Sequence, residues 1–309
     1  MTAASMVLAS PDSALLKIKR LVLDSVSSVH SRRAYDKALT DFLAWGRENG
    51  IAFTKSSVQQ YKTHLEQSGL ASSTVNVRLT AVRRLAAEAA DNGLLDPALA
   101  TGIGRVKGVK RSGVRTGNWL TREQAEQLIL TPNAETLRGK RDRAILALLI
   151  GCGLRRSEAS EICFSHIQQR DGRWAIVDLV GKGDRIRTVP MPSWCKLSID
   201  EWATAAGIDS GRVFRPMAKG GKLVDGVLLP QNILNLVQRY AGQIPGFPQI
   251  APHDLRRTFA KLAHKGSAAL EQIQLSLGHA SIQTTERYLG VKQDLSDAPC
   301  DHLGLRLGK

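Results

Sequence analysis

Apolar residues recur at helical spacing from Leu15 to about Leu95, as in Tyr35, Leu39, Phe42 and Leu43, and again in Leu79, Val82, Leu85 and Ala86. A stripe of that period is the buried face of an amphipathic helix, so the first third of the chain predicts an all-helical unit. Ser72, Ser73 and Thr74 offer cap chemistry before the last of these helices, and Asn92-Gly93 offers a stop. Ala144 to Ile150 is apolar at every position, which predicts a helix buried on all sides. Trp174 to Val180 and Arg185 to Val189 are rich in β-formers and are separated by Gly181-Lys182-Gly183-Asp184, a hairpin signal, with Pro190 closing the second strand. Pro252 predicts the start of a helix with the stripe Leu255, Phe259 and Leu262. Gly278 predicts the end of the next, which holds Leu270, Ile273 and Leu277. Ser281 to Leu289 reads as one more short helix. The expected fold class is mainly α with a small β component: a helical domain over 1–101, a Gly-rich linker over 102–118 and a mixed α/β domain over 119–309.

Charge changes this picture. The 309 residues hold 43 Lys and Arg against 28 Asp and Glu, a formal charge of +15, with 17 against 9 in residues 1–118 and 26 against 19 in 119–309. Excess positive charge spread over both halves suits a partner whose counterions it can displace, and nucleic acid is the leading partner, against a basic pI kept only for solubility. Arg78, Arg83 and Arg84 ride on the last amino-terminal helix, either as a solvated basic face or as phosphate contacts. No acidic residue lies between Asp96 and Glu123, where Arg105, Lys107, Lys110 and Arg111 alternate with glycines. A flexible basic segment of that kind fits a linker lying against a phosphate backbone.

Other classes are disfavoured. The longest wholly apolar run is seven residues, well short of the roughly 20 a membrane span needs. The first basic residue is Lys17, after Pro11 and Asp12, which is not a secretory leader pattern, so a cytoplasmic protein with no membrane partner is expected. Cys152, Cys163, Cys195 and Cys300 form no C-x-x-C pair and no metal-ligand spacing with the histidines, and read as reduced thiols. No phosphate-binding loop, H-E-x-x-H or paired Asp cluster is present, so chemistry on nucleic acid is expected to need no cofactor, neither ATP nor a metal.

Several polar positions in the second half ask to be explained together. Arg155 follows the buried helix directly, where rigid support would fix a guanidinium. Lys182 sits at a hairpin tip, a place where lysine is ordinarily only solvated. His253 and Arg256 share one helix face at i and i+3, and His279 and Tyr288 flank the last short helix. The segments Gly151-Cys-Gly-Leu-Arg-Arg-Ser-Glu158, Val180-Gly-Lys-Gly-Asp-Arg-Ile-Arg-Thr-Val-Pro190, His253-Asp-Leu-Arg-Arg-Thr-Phe-Ala260 and Leu277-Gly-His-Ala-Ser-Ile-Gln-Thr-Thr-Glu-Arg-Tyr288 closely resemble the tyrosine recombinase (phage integrase) family. The resemblance covers the second half motif by motif and the helical first half in pattern only. Cys152 stands where the family often has Thr, and Ala159 where it often has Leu; neither touches a reacting group.

The resemblance implies a helical core-binding domain and a catalytic domain that close around a duplex as a clamp, and four protomers on two paired sites. It implies a 3′-phosphotyrosyl intermediate on Tyr288 and a Holliday junction. The residue types make chemical sense in those roles. Arg155 and Arg256 offer planar forks of donors to the non-bridging oxygens of a phosphodiester that gains charge under attack, and His279 adds a third donor. His253 accepts the phenolic proton, Lys182 supplies one to the departing 5′ oxygen, and Glu158 orients Arg155 or His253. A type IB topoisomerase-like enzyme shares this chemistry without joining different duplexes, and a non-catalytic DNA-binding regulator would have no use for Tyr288.

Overall fold

The computed structural model describes residues 13–110, 118–181 and 185–289. Arg111, Lys182 and the segment after Leu289 lie outside the described residues, and so does the side chain of Tyr288, whose backbone belongs to the last helix. The chain divides into two compact units, 1–114 and 115–309.

The first unit is helical throughout: α1 (Ser13–Asp24), α2 (Val29–Glu48), α3 (Lys55–Gln67), α4 (Ser72–Asp91) and α5 (Pro97–Gly104). Their apolar stripes meet in one core that contains Leu39, Phe42, Phe53, Tyr61, Leu79, Leu85 and Ile103. Local chemistry sets the helix starts. Thr54 and Ser57 form a reciprocal capping box on α3, and Asp96 accepts the amides of Ala98 and Leu99 ahead of α5, whose first residue is Pro97. The start of α4 differs from the sequence expectation: the cap position falls on Ala71, with no side-chain cap bond, and Ser72, Ser73 and Thr74 lie inside the first turn. Asn92 closes α4 as expected, followed by Gly93 at φ +70°.

The first residues of the segment expected as a linker, from 102 on, belong to the helical unit. Residues 102–104 are the last turn of α5, Val106 is buried in the helical core, and Asn76 of α4 clamps Val109 through both its amide nitrogen and its carbonyl (2.8 and 3.0 Å). Alternating glycines looked like flexibility, but paired backbone groups hold the first half of this segment to the helical unit.

The second unit opens with α6 (Arg122–Leu130) and α7 (Leu137–Gly151), followed by the short α8 (Arg156–Glu161) and a three-residue 3-10 turn (Phe164–His166). A three-stranded antiparallel sheet comes next, β1 (Ile167–Arg170), β2 (Arg173–Val180) and β3 (Ile186–Pro190), in that spatial order. The remaining helices are α9 (Ser193–Ala206), α10 (Pro230–Ala241), α11 (Pro252–Lys265), α12 (Leu270–Leu277) and α13 (Ile282–Leu289). Residues 144–151 of α7 are all buried, and that helix packs against α6, α9 and α11 at the centre of the domain. Three groups carry the site: the turn after α7, the β2–β3 hairpin, and the α11–α12–α13 cluster. Contacts of α11 with α7 and of α12 with β3 bring them to one place. The protein is thus mainly α with a small β component, and no described helix is long and apolar enough to cross a membrane.

Candidate active site

Arg155 is the cap residue of α8 and has an extended backbone (φ −72°, ψ 151°). Gly153, two residues earlier, sits at φ +60°, and a Cβ there would lie 2.6 Å from the Phe259 ring, so only glycine allows the chain to leave α7 this closely against α11. Glu158, three residues into α8, reaches back to accept the Arg155 amide at 2.8 Å and Arg155 Nη1 at 2.6 Å. One carboxylate therefore fixes both the backbone and the guanidinium of Arg155.

Glu158 is buried, yet it serves two more cations. Arg187 of β3 donates from both terminal nitrogens, Nη1 to Oε1 at 3.0 Å and Nη2 to Oε2 at 2.8 Å, and Arg256 Nη1 lies 4.0 Å from Oε2. Burial alone would raise the carboxyl pKa. The Arg187 fork, the Arg155 amide and the two nearby positive charges outweigh it and hold the pKa below the usual value, so Glu158 is ionised at neutral pH. Arg256 is itself buried, and it donates to the carbonyl of Gly153 at 2.7 Å and to the carbonyl of Leu277. Leu277 ends α12, and Gly278 follows in the left-handed region at φ +61°. That turn presents His279.

The two histidines stand in a strongly positive field. His279 Nδ1 lies 2.9 Å from Thr285 Oγ1, and partial burial, with Arg256, Arg155, His253 and Arg187 adding to it, lowers its pKa to about 4. His253, on the exposed side of α11, is lowered first by lost hydration and then by Arg257, Arg256 and Arg155, against a smaller opposing effect of Asp254. Both rings are neutral at pH 7 in the free protein, the state in which His253 can take up a proton.

The structure thus gathers Arg155, Glu158, His253, Arg256 and His279. The amino-terminal basic residues are less uniform than their sequence pattern. Arg78 Nη1 pairs with Asp41 at 2.8 Å and reaches the Tyr61 hydroxyl, and Arg83 donates to the carbonyl of Val106, so both guanidiniums are engaged within the helical unit. Arg84 is exposed, stacked 5.9 Å over Tyr35, and Arg105, Lys107 and Lys110 are exposed. Sequence reasoning gave no role to Arg187. Strand parity carried the signal: Arg187 shares a face with the core residue Val189, while its apolar neighbour Ile186 points to solvent. Among the described residues no group of three or more His, Cys, Asp and Glu is placed to hold a metal ion.

The description "Phage integrase family" matches residues 118–294, and "Phage integrase, N-terminal SAM-like domain" matches 18–93. The chain belongs to the phage integrase family. A tyrosine recombinase XerC of Pelobacter propionicus is 31% identical over 275 residues, covering 86% of this chain and 86% of that protein. A tyrosine recombinase of Synechococcus elongatus is 27% identical and covers 94% of each chain. The same fold occurs in a lambda integrase dimer bound to a COC′ core site (TM-score 0.69, 14% identity, 94% of this chain and 80% of that one). It occurs again in the XerH recombinase bound to difH (TM-score 0.66, 17% identity, 93% and 87%). This integrase is a tyrosine-type site-specific recombinase, an enzyme of DNA.

Proposed function

We propose that this integrase cuts and rejoins two duplexes one strand at a time, with Tyr288 as nucleophile and a homotetramer on paired sites as the working assembly, in the cytoplasm. The Tyr288 oxygen attacks the scissile phosphorus and the bond to the 5′ oxygen breaks, leaving a 3′-phosphotyrosyl bond that keeps the phosphodiester energy for religation by another 5′ hydroxyl. His253 takes the phenolic proton, which a group of ordinary pKa about 10 does not give up unaided at neutral pH. Arg155, Arg256 and His279 donate to the non-bridging oxygens, and Lys182 protonates the departing 5′ oxygen. The helical domain over 1–101 and the basic segment after it hold the duplex, with Arg84, Arg105, Lys107 and Lys110 on phosphates and Arg111 as a further contact. Arg78 and Arg83 contribute by holding the helical domain together.

The observation that carries this reading is the single buried carboxylate of Glu158 bound by Arg155 and Arg187 and approached by Arg256. Three guanidiniums against one carboxylate leave about two positive charges over, a standing excess suited to a phosphate that becomes more negative as it is attacked. The test uses a duplex sequence recovered by binding selection from random duplexes. Two differently labelled copies incubated with the protein should yield recombinant strands. Relaxation of a supercoiled plasmid with no exchange between duplexes would favour a topoisomerase, and neither product would leave only a binder.

A further inference from the structure

We infer that Arg187 is a positioning residue of strand cleavage: it locks Glu158 and the Gly278–His279 turn into one frame, so that Arg155 and His279 address the same phosphate. The inference rests on the reaction proposed above and adds a residue to it. Arg187 spans three elements with one side chain. It stands on β3, its two terminal nitrogens grip both oxygens of Glu158 on α8, and its Nε donates to the carbonyl of Ser276 at the end of α12, 2.9 Å away. Its side chain is 8% exposed, so the fork is directed inward and is not a surface charge awaiting DNA.

Two features show how closely this frame is built. A Cβ on Gly278 would come within 2.9 Å of Arg187 Cδ, and one on Gly181 within 2.9 Å of Arg187 Nη1 and 3.4 Å of Arg155 Nη1. A methyl group at either glycine would meet the Arg187 side chain, which would have to move to admit it. The α12 terminus is held by two arginines, Arg187 at the Ser276 carbonyl and Arg256 at the Leu277 carbonyl, which fixes the direction in which the following turn sends His279.

Charge balance gives the same role. Without Arg187, both Glu158 oxygens would be more open to Arg155 and Arg256, and a carboxylate chelated by the two guanidiniums proposed to bind the phosphate would cancel the positive charge they bring to it. By occupying both oxygens with a planar fork, Arg187 limits Glu158 to one terminal nitrogen of Arg155 and keeps Arg256 at 4.0 Å. A lysine cannot form that fork.

The experiment measures single-turnover cleavage of a nicked duplex carrying the selected sequence, at saturating protein, with DNA affinity measured separately. Wild type must form a covalent adduct; its failure to do so would refute the proposed reaction and not the assignment of Arg187. Arg187→Gln and Arg187→Lys should bind the duplex as wild type does and cleave on the order of 10²-fold more slowly, the scale of a lost transition-state donor. The deciding readout is a duplex with an uncharged methylphosphonate at the scissile position. Removing a non-bridging charge makes a well-aimed guanidinium less necessary, so the deficit of the Arg187 variants should shrink on it, as should that of Arg155→Ala. A deficit equal on both substrates would assign Arg187 to folding alone, and a rate equal to wild type would remove it from the account. Gly181→Ala keeps Arg187 and its charge while displacing the Arg187 guanidinium tip, and serves if Arg187→Gln fails to fold. It should show the same substrate-dependent deficit, and wild-type behaviour in it would overturn the inference.

Discussion

Arg256 Nη1 donates to the carbonyl oxygen of Gly153 at 2.7 Å, which fastens α11 to the turn that delivers Arg155. The two arginines proposed to bind the phosphate are therefore not equivalent. Arg155 has a 29% exposed side chain whose described polar partner is Glu158, whereas the Arg256 side chain is 2% exposed and also satisfies the carbonyl of Leu277.

Lysine at either position keeps the charge and loses the fork. Arg155→Lys should retain DNA binding and near wild-type stability and lose cleavage by on the order of 10²-fold or more. Arg256→Lys should lose cleavage to a similar degree and also about 1–3 kcal/mol of stability, because one ammonium cannot replace two differently directed donors and a buried carbonyl is left unpaired. Urea denaturation and adduct formation read the two effects apart. An unchanged cleavage rate in either variant would reassign that arginine to structure.

The depressed pKa of His279 has a signature in stability. At pH 7 the ring is neutral in both folded and unfolded states. As pH falls below about 6.5 the unfolded chain takes up a proton that the folded protein refuses until about pH 4, so stability declines across that window and levels off below it. His279→Gln should flatten this part of the profile, measured as urea midpoints from pH 7 to pH 4. An unchanged slope would mean that the ring is not held in the positive field described. His253 is lowered in the same direction, so cleavage at limiting protein and DNA, where the free protein sets the protonation, should persist somewhat below pH 6.5 before the base is protonated.

Tyr240 is the second tyrosine of the catalytic half and serves as an internal control. It is buried, its hydroxyl donates to Asp142 at 2.9 Å, and burial together with the Asp142 charge pushes its pKa up to about 12. Asp142 is also held by Arg141 and Arg239, so this is a structural network between α7 and α10. Tyr240→Phe should cost about 1.5–3 kcal/mol, the range for a hydrogen bond to a charged group, and leave adduct formation per folded molecule unchanged. Loss of the adduct at full stability would give Tyr240 a part in the reaction.

Much of this arrangement was legible before the structure. The β2–β3 hairpin, the buried 144–150 run of α7, the start of α11 at Pro252 and the end of α12 at Gly278 follow from period, proline and glycine, which act locally. Arg155, Glu158, His253, Arg256 and His279 stood out because they fall in the segments that resemble the family. Strand β1 did not, since Ile167-Gln-Gln-Arg170 has almost no apolar pattern and pairs only because β2 lies beside it. Nor did the internal use of Arg78 and Arg83. Their partners Asp41 and Val106 are 37 and 23 residues away, and no local rule distinguishes a guanidinium that meets a protein oxygen from one that meets water.

Lys182 carries the least obvious role, because a lysine between two glycines is ordinarily a solvated turn residue. An alkoxide leaves poorly unless protonated, whereas a thiolate leaves without a proton. Lys182→Ala should therefore cleave an ordinary duplex very slowly and recover much of its rate on DNA whose bridging 5′ oxygen is sulfur. Arg155→Ala, impaired at the non-bridging oxygens, should gain nothing from that substrate. Equal impairment of Lys182→Ala on both would leave the lysine as a DNA contact.

The most direct test of the central claim is the chemical identity of the protein–DNA adduct. A nicked duplex carrying the selected sequence is incubated with the protein, resolved on a denaturing gel, and the linked peptide is mapped by mass spectrometry. One adduct is expected, a phosphodiester joining the Tyr288 oxygen to a 3′ phosphate, with a free 5′ hydroxyl on the other fragment, and no adduct in Tyr288→Phe, which removes only the phenolic oxygen and should bind the duplex as wild type does. An adduct that persists in Tyr288→Phe, or one carried on the 5′ side of the break, would contradict the claim.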